Sequence, residues 1–467
     1  EALKNNEMVG MTIDQGGKDG TLVNFFGRTA SMSTGSLRLA LKYGTAILPV
    51  FFVRRGGPYV KIILGRHFEI VRRGNEEEDV RDNLQRLVLI HEEHIRRYPH
   101  EYLWTYKIWK YSDERNILIL SDAKTGHLRQ SEAVSRIVTQ ILNNRGIKVN
   151  LQSVNIQFKN SLAKSVELLA VLFSGRYVCQ GCLFCLKGLL QKKTYATLMQ
   201  ANPDIVISCG SSLAGINFLI ARQSMARSVV ILRPLFLGTS RFDLVIMPVH
   251  DRPAKRKNIV TVEGALSLID SEYLKEQTKK LLERQLFSQD NLRDCIGLFI
   301  GGDTKTFHLK KDVVLEVMRQ LKVVAEKHNK DILITTSRRT PGDIEHLVKS
   351  ECAGYSACKL MIIANENNIP EAVGGILGLS ELVVVSPESI SMISEAVSSG
   401  KYVVVFAASG LSPKHRSFLD NFAKDNYIRL TKAEELGRNI EEILLVKPQI
   451  RMPQSNLKVR EALEKIL

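Results

Sequence analysis

The stretch Leu379–Ala407, LSELVVVSPESISMISEAVSSGKYVVVFA, limits the fold more than any other part of the chain. Leu382–Val385 is a β-branched apolar run, as expected of a strand buried on both faces. A polar turn over Ser386–Ser391, a short helix over Met392–Val397 closed by Ser398, Ser399 and Gly400, and a second buried strand over Tyr402–Phe406 follow. Such a helix starts at the carboxyl end of a parallel strand. Its free N–H groups and positive dipole end suit a phosphate or pyrophosphate there. Ser389 and Ser391 add hydroxyls, and Glu395, one turn in, can accept from ribose hydroxyls. A capped helix in any doubly wound sheet accounts for the same residues, so this stretch alone leaves both readings open.

The pattern recurs upstream. Asn116–Leu120 predicts a buried strand, followed by SDAKTGHLRQS and an amphipathic helix ending near Asn144 with Gly146 as its stop. Ser121, Lys124, Gly126 and His127 then fall at the carboxyl edge of a sheet, on the acceptor side of a cleft. The spacing is not that of a Walker loop. Lys124 can contact phosphate, and His127 can act as a base on an acceptor hydroxyl or simply cap the helix. Further strands are expected at Ile205–Ser208, Ser228–Leu232 and Leu244–Met247, the last leading to His250-Asp251, a second candidate base with a carboxylate beside it.

A new α/β unit opens at Cys295–Ile300 with the glycine turn Gly301-Gly302-Asp303-Thr304-Lys305-Thr306. Strands at Ile332–Thr335 and Met361–Ala364 follow, and the former leads to Ser337, Arg338 and Arg339. Guanidinium groups match pyrophosphate oxygens in pairs. Gly301, Gly302 and Thr304, then Ser337, Arg338 and Arg339, then Ser389, Ser391 and Glu395 make three strand ends offering donors. Their convergence favours a nucleotide-diphosphate site.

At 467 residues the chain has room for several domains. Its net charge of +16 is spread without a Lys/Arg block, which argues against nucleic acid and suits anionic headgroups, sugar nucleotides or an acidic carrier protein. Seven cysteines without a secretory pairing pattern point to a reducing compartment. Cys179, Cys182 and Cys185 have a C-x2-C-x2-C spacing that fits an iron–sulfur or metal site, but the apolar surroundings favour one face of a packed helix; no metal is expected. The chain begins EALKNNEM, almost at once in a strand signal, so a preceding segment is expected.

In residues 1–111, Asp14-Gln15, Phe25–Gly27, TGSLRLALKYGTAILPVFFVRR (Thr34–Arg55) and PHEYLWTYKIWK (Pro99–Lys110) stand in order. Here Thr34 or Ser33 can cap a helix stopped by Gly44, Ala46–Val53 reads as a buried strand and Tyr59–Leu64 as another strand, and Glu76–Arg97 reads as an amphipathic helix. This segment resembles the C-terminal half of the late lipid A (lauroyl/myristoyl) acyltransferases. The resemblance implies acyl transfer from an acyl carrier protein or acyl-CoA to a glycolipid hydroxyl, with a His-x4-Asp/Glu pair as catalyst. No such pair occurs here, so it is expected upstream of Glu1, together with a membrane anchor. His91, His94 and His100 are read as surface histidines. Asp14, Gln15, Phe26, Gly27 and Arg54 are the motif residues, and Arg54, at a strand end, is a candidate contact for phosphate or carrier protein.

From Asn116 onward, ILSDAKTGHLRQS, FDLVIMPVHD, IGGDTKTFHL, TTSRRTP and SPESISMISEAVSSGKYV resemble, in order, the bacterial relatives of the mitochondrial-fission ELM family. The last segment is also similar to the nucleotide-binding stretch of MurG-like glycosyltransferases, which implies that Glu395 holds a ribose. The expected fold is therefore α/β: a partial acyltransferase α/β domain (1–111), then two Rossmann-like halves (112–285 and 286–467, the latter with a C-terminal helix) in a GT-B-like arrangement. The expected function is envelope glycolipid biosynthesis, by an acyltransferase module fused to a sugar-nucleotide-dependent glycosyltransferase-like module. No cofactor is expected; acyl carrier protein, a glycolipid acceptor and the cytoplasmic face of the inner membrane are the expected partners. The alternative is that the second module is a non-catalytic GT-B-like adaptor.

Overall fold

The computed structural model describes residues 1–173, 183–235, 237–251, 253–288, 292–304 and 306–467, with the backbone alone at residue 250. The chain divides into two compact units, residues 1–116 with 142–150, and residues 117–141 with 151–467.

The first unit is built on two antiparallel hairpins and two helices. Strands β1 (Thr21–Phe25) and β2 (Arg28–Met32) pair through the turn at Phe26-Gly27. Both turn residues have positive φ, 52° and 81°, the combination a two-residue hairpin turn needs. The Phe-Phe-Gly motif is thus a structural turn: Phe25 is fully buried, and the Phe26 N–H donates to Glu92 at 2.7 Å. The helix Glu76–Arg97 has Asn75 as its cap, accepting from the N–H groups of Glu77 and Glu78, with four acids in its first turn and two arginines in its last. Its Leu84, Leu87, Val88 and Ile95 pack with Val23, Phe25, Met32 and Leu37 in one core.

Two expectations are corrected here. The strand expected at Ala46–Val53 is β3, Val50–Gly56, which among the described residues pairs only with β4, Tyr59–Leu64. A two-stranded ribbon has no sheet to bury it, and Phe52 and Ile62 are exposed. His91 is not a surface histidine. It packs among Phe25, Phe51 and Tyr102, and burial pushes its imidazole pKa down. His94 stacks on Phe51 at 3.8 Å, whereas His100 is exposed.

The second unit carries two six-stranded sheets. The first comprises β5 (Glu114–Ser121), β6 (Lys148–Asn155), β7 (Ile205–Cys209), β8 (Arg227–Ile231), β9 (Leu244–Pro248) and β10 (Ile259–Val262), in the order β10-β9-β8-β7-β5-β6. The second comprises β11 (Cys295–Ile300), β12 (Asp331–Thr336), β13 (Cys358–Ile362), β14 (Ser380–Val385), β15 (Tyr402–Phe406) and β16 (Arg429–Thr431), in the order β13-β12-β11-β14-β15-β16. Neighbouring strands of the second sheet run parallel, as β11 does to both β12 and β14. Central strands are apolar throughout because both faces are covered: every residue of β7, β9 and β11 is buried. Each sheet reverses its strand order beside its first strand, between β5 and β7 and between β11 and β14. A doubly wound sheet opens a crevice at that point, at the carboxyl ends of its strands.

Candidate functional site

In the first sheet the crevice is occupied by the loop after β5. Asp122 follows the strand, and the helix Thr125–Asn143 begins three residues later. The His127 Nδ1 lies 3.1 Å from both Asp122 carboxylate oxygens. The Ser212 hydroxyl donates to Asp122 at 3.3 Å, and the Lys124 ammonium lies 3.0 Å from it. Lys124 and His127 hold the Asp122 carboxyl below its usual range, although burial opposes them. A carboxylate on Nδ1 sets the tautomer and leaves Nε2 as the working nitrogen. His127 is about a quarter exposed. It lies against Gly210, which has φ of +92°; a Cβ there would come within 2.7 Å of its Cε1. The imidazole is therefore packed in place at the sheet edge.

In the second sheet β12, β11 and β14 are neighbours, so the turns after them meet. The Gly301 N–H donates to the Ser386 hydroxyl and the Gly302 N–H to Glu388 Oε1, both at 2.7 Å. The Asp303 N–H donates to the Arg339 carbonyl at 3.1 Å. Gly302 leaves no room for a Cβ beside that carbonyl, which is why glycine is required. The expected phosphate donors thus fare differently. The N–H groups of Gly301 and Gly302 are turned inward to side chains. The Thr304 hydroxyl accepts from the Phe307 N–H at 3.1 Å, and the Ser337 hydroxyl accepts from the Arg339 N–H at 3.2 Å. Arg338 and Arg339 are exposed. Ser389 is buried and caps the helix Ile390–Ser398 without a side-chain hydrogen bond, and Ser391 is half-buried on its first turn.

Glu395 has a partner the sequence reading did not foresee. Arg129 Nη1 lies 3.1 and 3.4 Å from its two oxygens, joining the helix after β5 to the helix after β14. Burial pushes the Glu395 carboxyl up while Arg129 opposes it, and the same carboxylate raises Arg129. A second link runs from Arg338 Nη1 to the Thr125 hydroxyl at 3.3 Å, and a third from Lys414 to Asp251 at 2.9 Å. The helix Thr125–Asn143 and the turns of the second sheet therefore share one polar junction. Gly126, on the first turn, accepts from the Gln130 amide.

One acid was missed, and a second, Glu388, which stands where the resembled ELM family has Asp, was given no role. Asp122 was passed over beside the more conspicuous histidine, although Asp-x4-His opening a helix was the available signal. Glu388 is almost fully buried; its Oε1 accepts from Gly302 and Ser386, its Oε2 has no partner among the described residues, and burial pushes its carboxyl up. The His250 side chain, Cys179 and Cys182 lie outside the described residues. In the first unit, burial and then Asp14 push the Tyr102 hydroxyl pKa up. Arg54 is exposed on the β3–β4 ribbon, and Gln15 is also exposed. No group of metal-ligating side chains occurs among the described residues.

Fold and site together define an α/β protein in which an α/β segment precedes two Rossmann-like halves in a GT-B-like arrangement. The chain belongs to the mitochondrial fission ELM1 family, whose model matches residues 125–447. Residues 1–111 match the bacterial lipid A biosynthesis acyltransferase family. An uncharacterised protein of Rickettsia prowazekii (strain Madrid E) is 22% identical over 347 residues, covering 68% of this chain and 90% of that protein. Among solved structures, UDP-GlcNAc 2-epimerase from Neisseria meningitidis bound to UDP-GlcNAc is similar at a TM-score of 0.42 and 11% identity, covering 76% of this chain and 98% of that one. The MurG structure from Acinetobacter baumannii reaches 0.39 at 12% identity, covering 75% and 98%. The E. coli ADP-heptose LPS heptosyltransferase II reaches 0.40 at 10%, covering 71% and 99%.

Proposed function

We propose that the second unit transfers a sugar from a nucleoside-diphosphate donor to a hydroxyl of an envelope glycolipid, and that the first unit belongs to an acyltransferase acting on the same class of lipid. The observation that carries this reading is the Asp122–His127 pair: an imidazole fixed at a sheet edge, with a carboxylate on Nδ1. His127 Nε2 takes the proton of the acceptor hydroxyl as that oxygen bonds to the anomeric carbon. The bond from that carbon to the diphosphate breaks, and its electron pair stays on the phosphate oxygen. Arg338, Arg339 and the N-terminus of the helix Ile390–Ser398 offset the charge that develops there. The acceptor lies against Lys124 and Gly126. Acyl carrier protein or acyl-CoA supplies the acyl chain to the first unit, and the exposed Arg54 is a contact for it. On this reading the protein acts at the cytoplasmic face of the inner membrane; among the described residues no helix is long and apolar enough to cross a membrane.

The experiment is calorimetry with UDP-, GDP- and ADP-sugars, then release of the nucleotide in the presence of lipid A precursors. Binding of one donor and its turnover only with lipid support the reading. Absence of binding, with Arg338→Ala changing nothing, favours a non-catalytic adaptor. That second reading draws on Arg129, which occupies the carboxylate a ribose would need.

A further inference from the structure

Residues 122–128 read Asp-Ala-Lys-Thr-Gly-His-Leu, and residues 303–309 read Asp-Thr-Lys-Thr-Phe-His-Leu. The pattern Asp-x-Lys-Thr-x-His-Leu thus occurs twice, each time at the carboxyl end of the first strand of a sheet, after β5 and after β11. Its geometry repeats as well. His308 Nδ1 lies 2.7 Å from the Asp303 carboxylate, as His127 Nδ1 lies on Asp122. The other Asp303 oxygen accepts the Leu309 N–H at 2.9 Å, which fixes the carboxylate under the ring. Lys305 lies outside the described residues.

The copies lie on either side of one turn. Arg338 reaches Thr125 of the first copy, and the carbonyl of its neighbour Arg339 accepts the Asp303 N–H of the second. They differ in exposure. His127 is wedged against Gly210, whereas the His308 side chain is 77% exposed. A base must hold one position against the acceptor; a ligand for a solvated anion must be open to it. Exposed Arg338 and Arg339 follow β12, the neighbour of β11, and the Arg339 carbonyl holds the Asp303 N–H. With Nδ1–H on the carboxylate, His308 has a second proton to donate, on Nε2, when the ring is an imidazolium.

We infer that the Asp303–His308 pair is the diphosphate-recognition element of the second half, with His308, as an imidazolium, donating Nε2–H to a phosphate oxygen of the donor, opposite its sequence twin Asp122–His127, whose ring is the neutral base. This rests on the glycosyl-transfer reading of the same junction and adds a binding residue to it. The duplication assigns the roles: one imidazole–carboxylate pair for the acceptor proton, the other for the leaving group.

The test is titration of the full chain with inorganic pyrophosphate, UDP, GDP and ADP, followed by calorimetry and by long-range proton–nitrogen NMR of the imidazoles. A shift of the His308 Nε2 resonance is expected, with affinity for pyrophosphate and for the bound nucleotide falling about tenfold in His308→Gln. Asp303→Asn should lose less, since it only orients the ring. A wild-type protein that binds a nucleoside diphosphate while His308→Gln binds it equally well, with the His308 signal unmoved, overturns this inference and leaves the glycosyl-transfer reading standing. A wild-type protein that binds no diphosphate overturns both. His308 is exposed and bears no core contact, so His308→Gln folds as the parent does, which circular dichroism checks.

Discussion

Arg129 and Glu395 form an ion pair between the helices that follow the first strand of one sheet and the fourth strand of the other, with the guanidinium 3.1 Å from the nearer carboxylate oxygen. The carboxylate is the more buried partner, at 12% side-chain exposure against 39%. Removing one side of such a pair costs more than removing both, because a lone buried charge remains. Arg129→Met should therefore destabilise the protein by about 2 kcal/mol at pH 8, less than a fully buried pair because Arg129 is partly solvated. At pH 5 the loss should shrink, since the stranded Glu395 can take a proton. Arg129→Met with Glu395→Gln should recover most of the difference. Urea unfolding at both pH values measures this, and equal losses at pH 5 and pH 8 would show that packing, not charge, holds the two helices.

If Asp122 orients His127, then Asp122→Asn should lower turnover about a hundredfold while leaving donor affinity unchanged, since the amide favours the wrong tautomer. Gly210→Ala approaches the same imidazole from behind. Its methyl group falls within 2.7 Å of Cε1, at a backbone φ of +92° that disfavours any side chain. It should also lower turnover with little change in donor affinity. Steady-state kinetics separating kcat from KM decide the matter, and a loss confined to KM would remove His127 from the proton-transfer step.

The strands were readable where both faces are buried. Cys295–Ile300 and Tyr402–Phe406 were expected at their observed bounds, because an unbroken apolar run between turn residues admits few other readings. Lys148–Asn155 was missed; it is the edge strand of its sheet, mostly exposed, and its polar sequence carries no such run. Residues at a single strand end, such as Lys124 and His127 or Ser337 and Arg339, can be proposed from the sequence because they stand close together in it. Arg129–Glu395 was not, because its members stand 266 residues apart and only the fold pairs them. The Gly301-Gly302 turn shows the opposite failure. Glycine suggested N–H groups free for phosphate, but the second strand end supplies Ser386 and Glu388 to take them.

That turn makes its own prediction. Gly302→Ala would drive a methyl group into the Arg339 carbonyl, and the backbone on both sides would have to move. A loss of about 2–3 kcal/mol is expected from this overpacking. Ser386→Ala should cost about 1–2 kcal/mol, because the buried Gly301 N–H loses its acceptor. Thermal unfolding of the two variants checks both values. A Gly302→Ala protein as stable as the parent would mean that the turns after β11 and β12 are not packed as described.

Glu167 offers a test of burial by pH. It lies on the helix Ser161–Phe173, almost wholly buried, with Oε1 unpartnered among the described residues. Burial pushes its carboxyl up from 4.5 to about 7, with only Lys164 pulling the other way. Between those two values the folded protein holds a proton that the unfolded chain has released. Stability therefore falls as pH rises through that window, and the full penalty is present above it. The shift corresponds to about 3 kcal/mol. Glu167→Gln keeps the shape and removes the titration. Relative to the parent, it should gain about 3 kcal/mol on going from pH 4.5 to pH 8. Parallel stability curves for the two proteins across that range would show that Glu167 reaches water or a partner in solution.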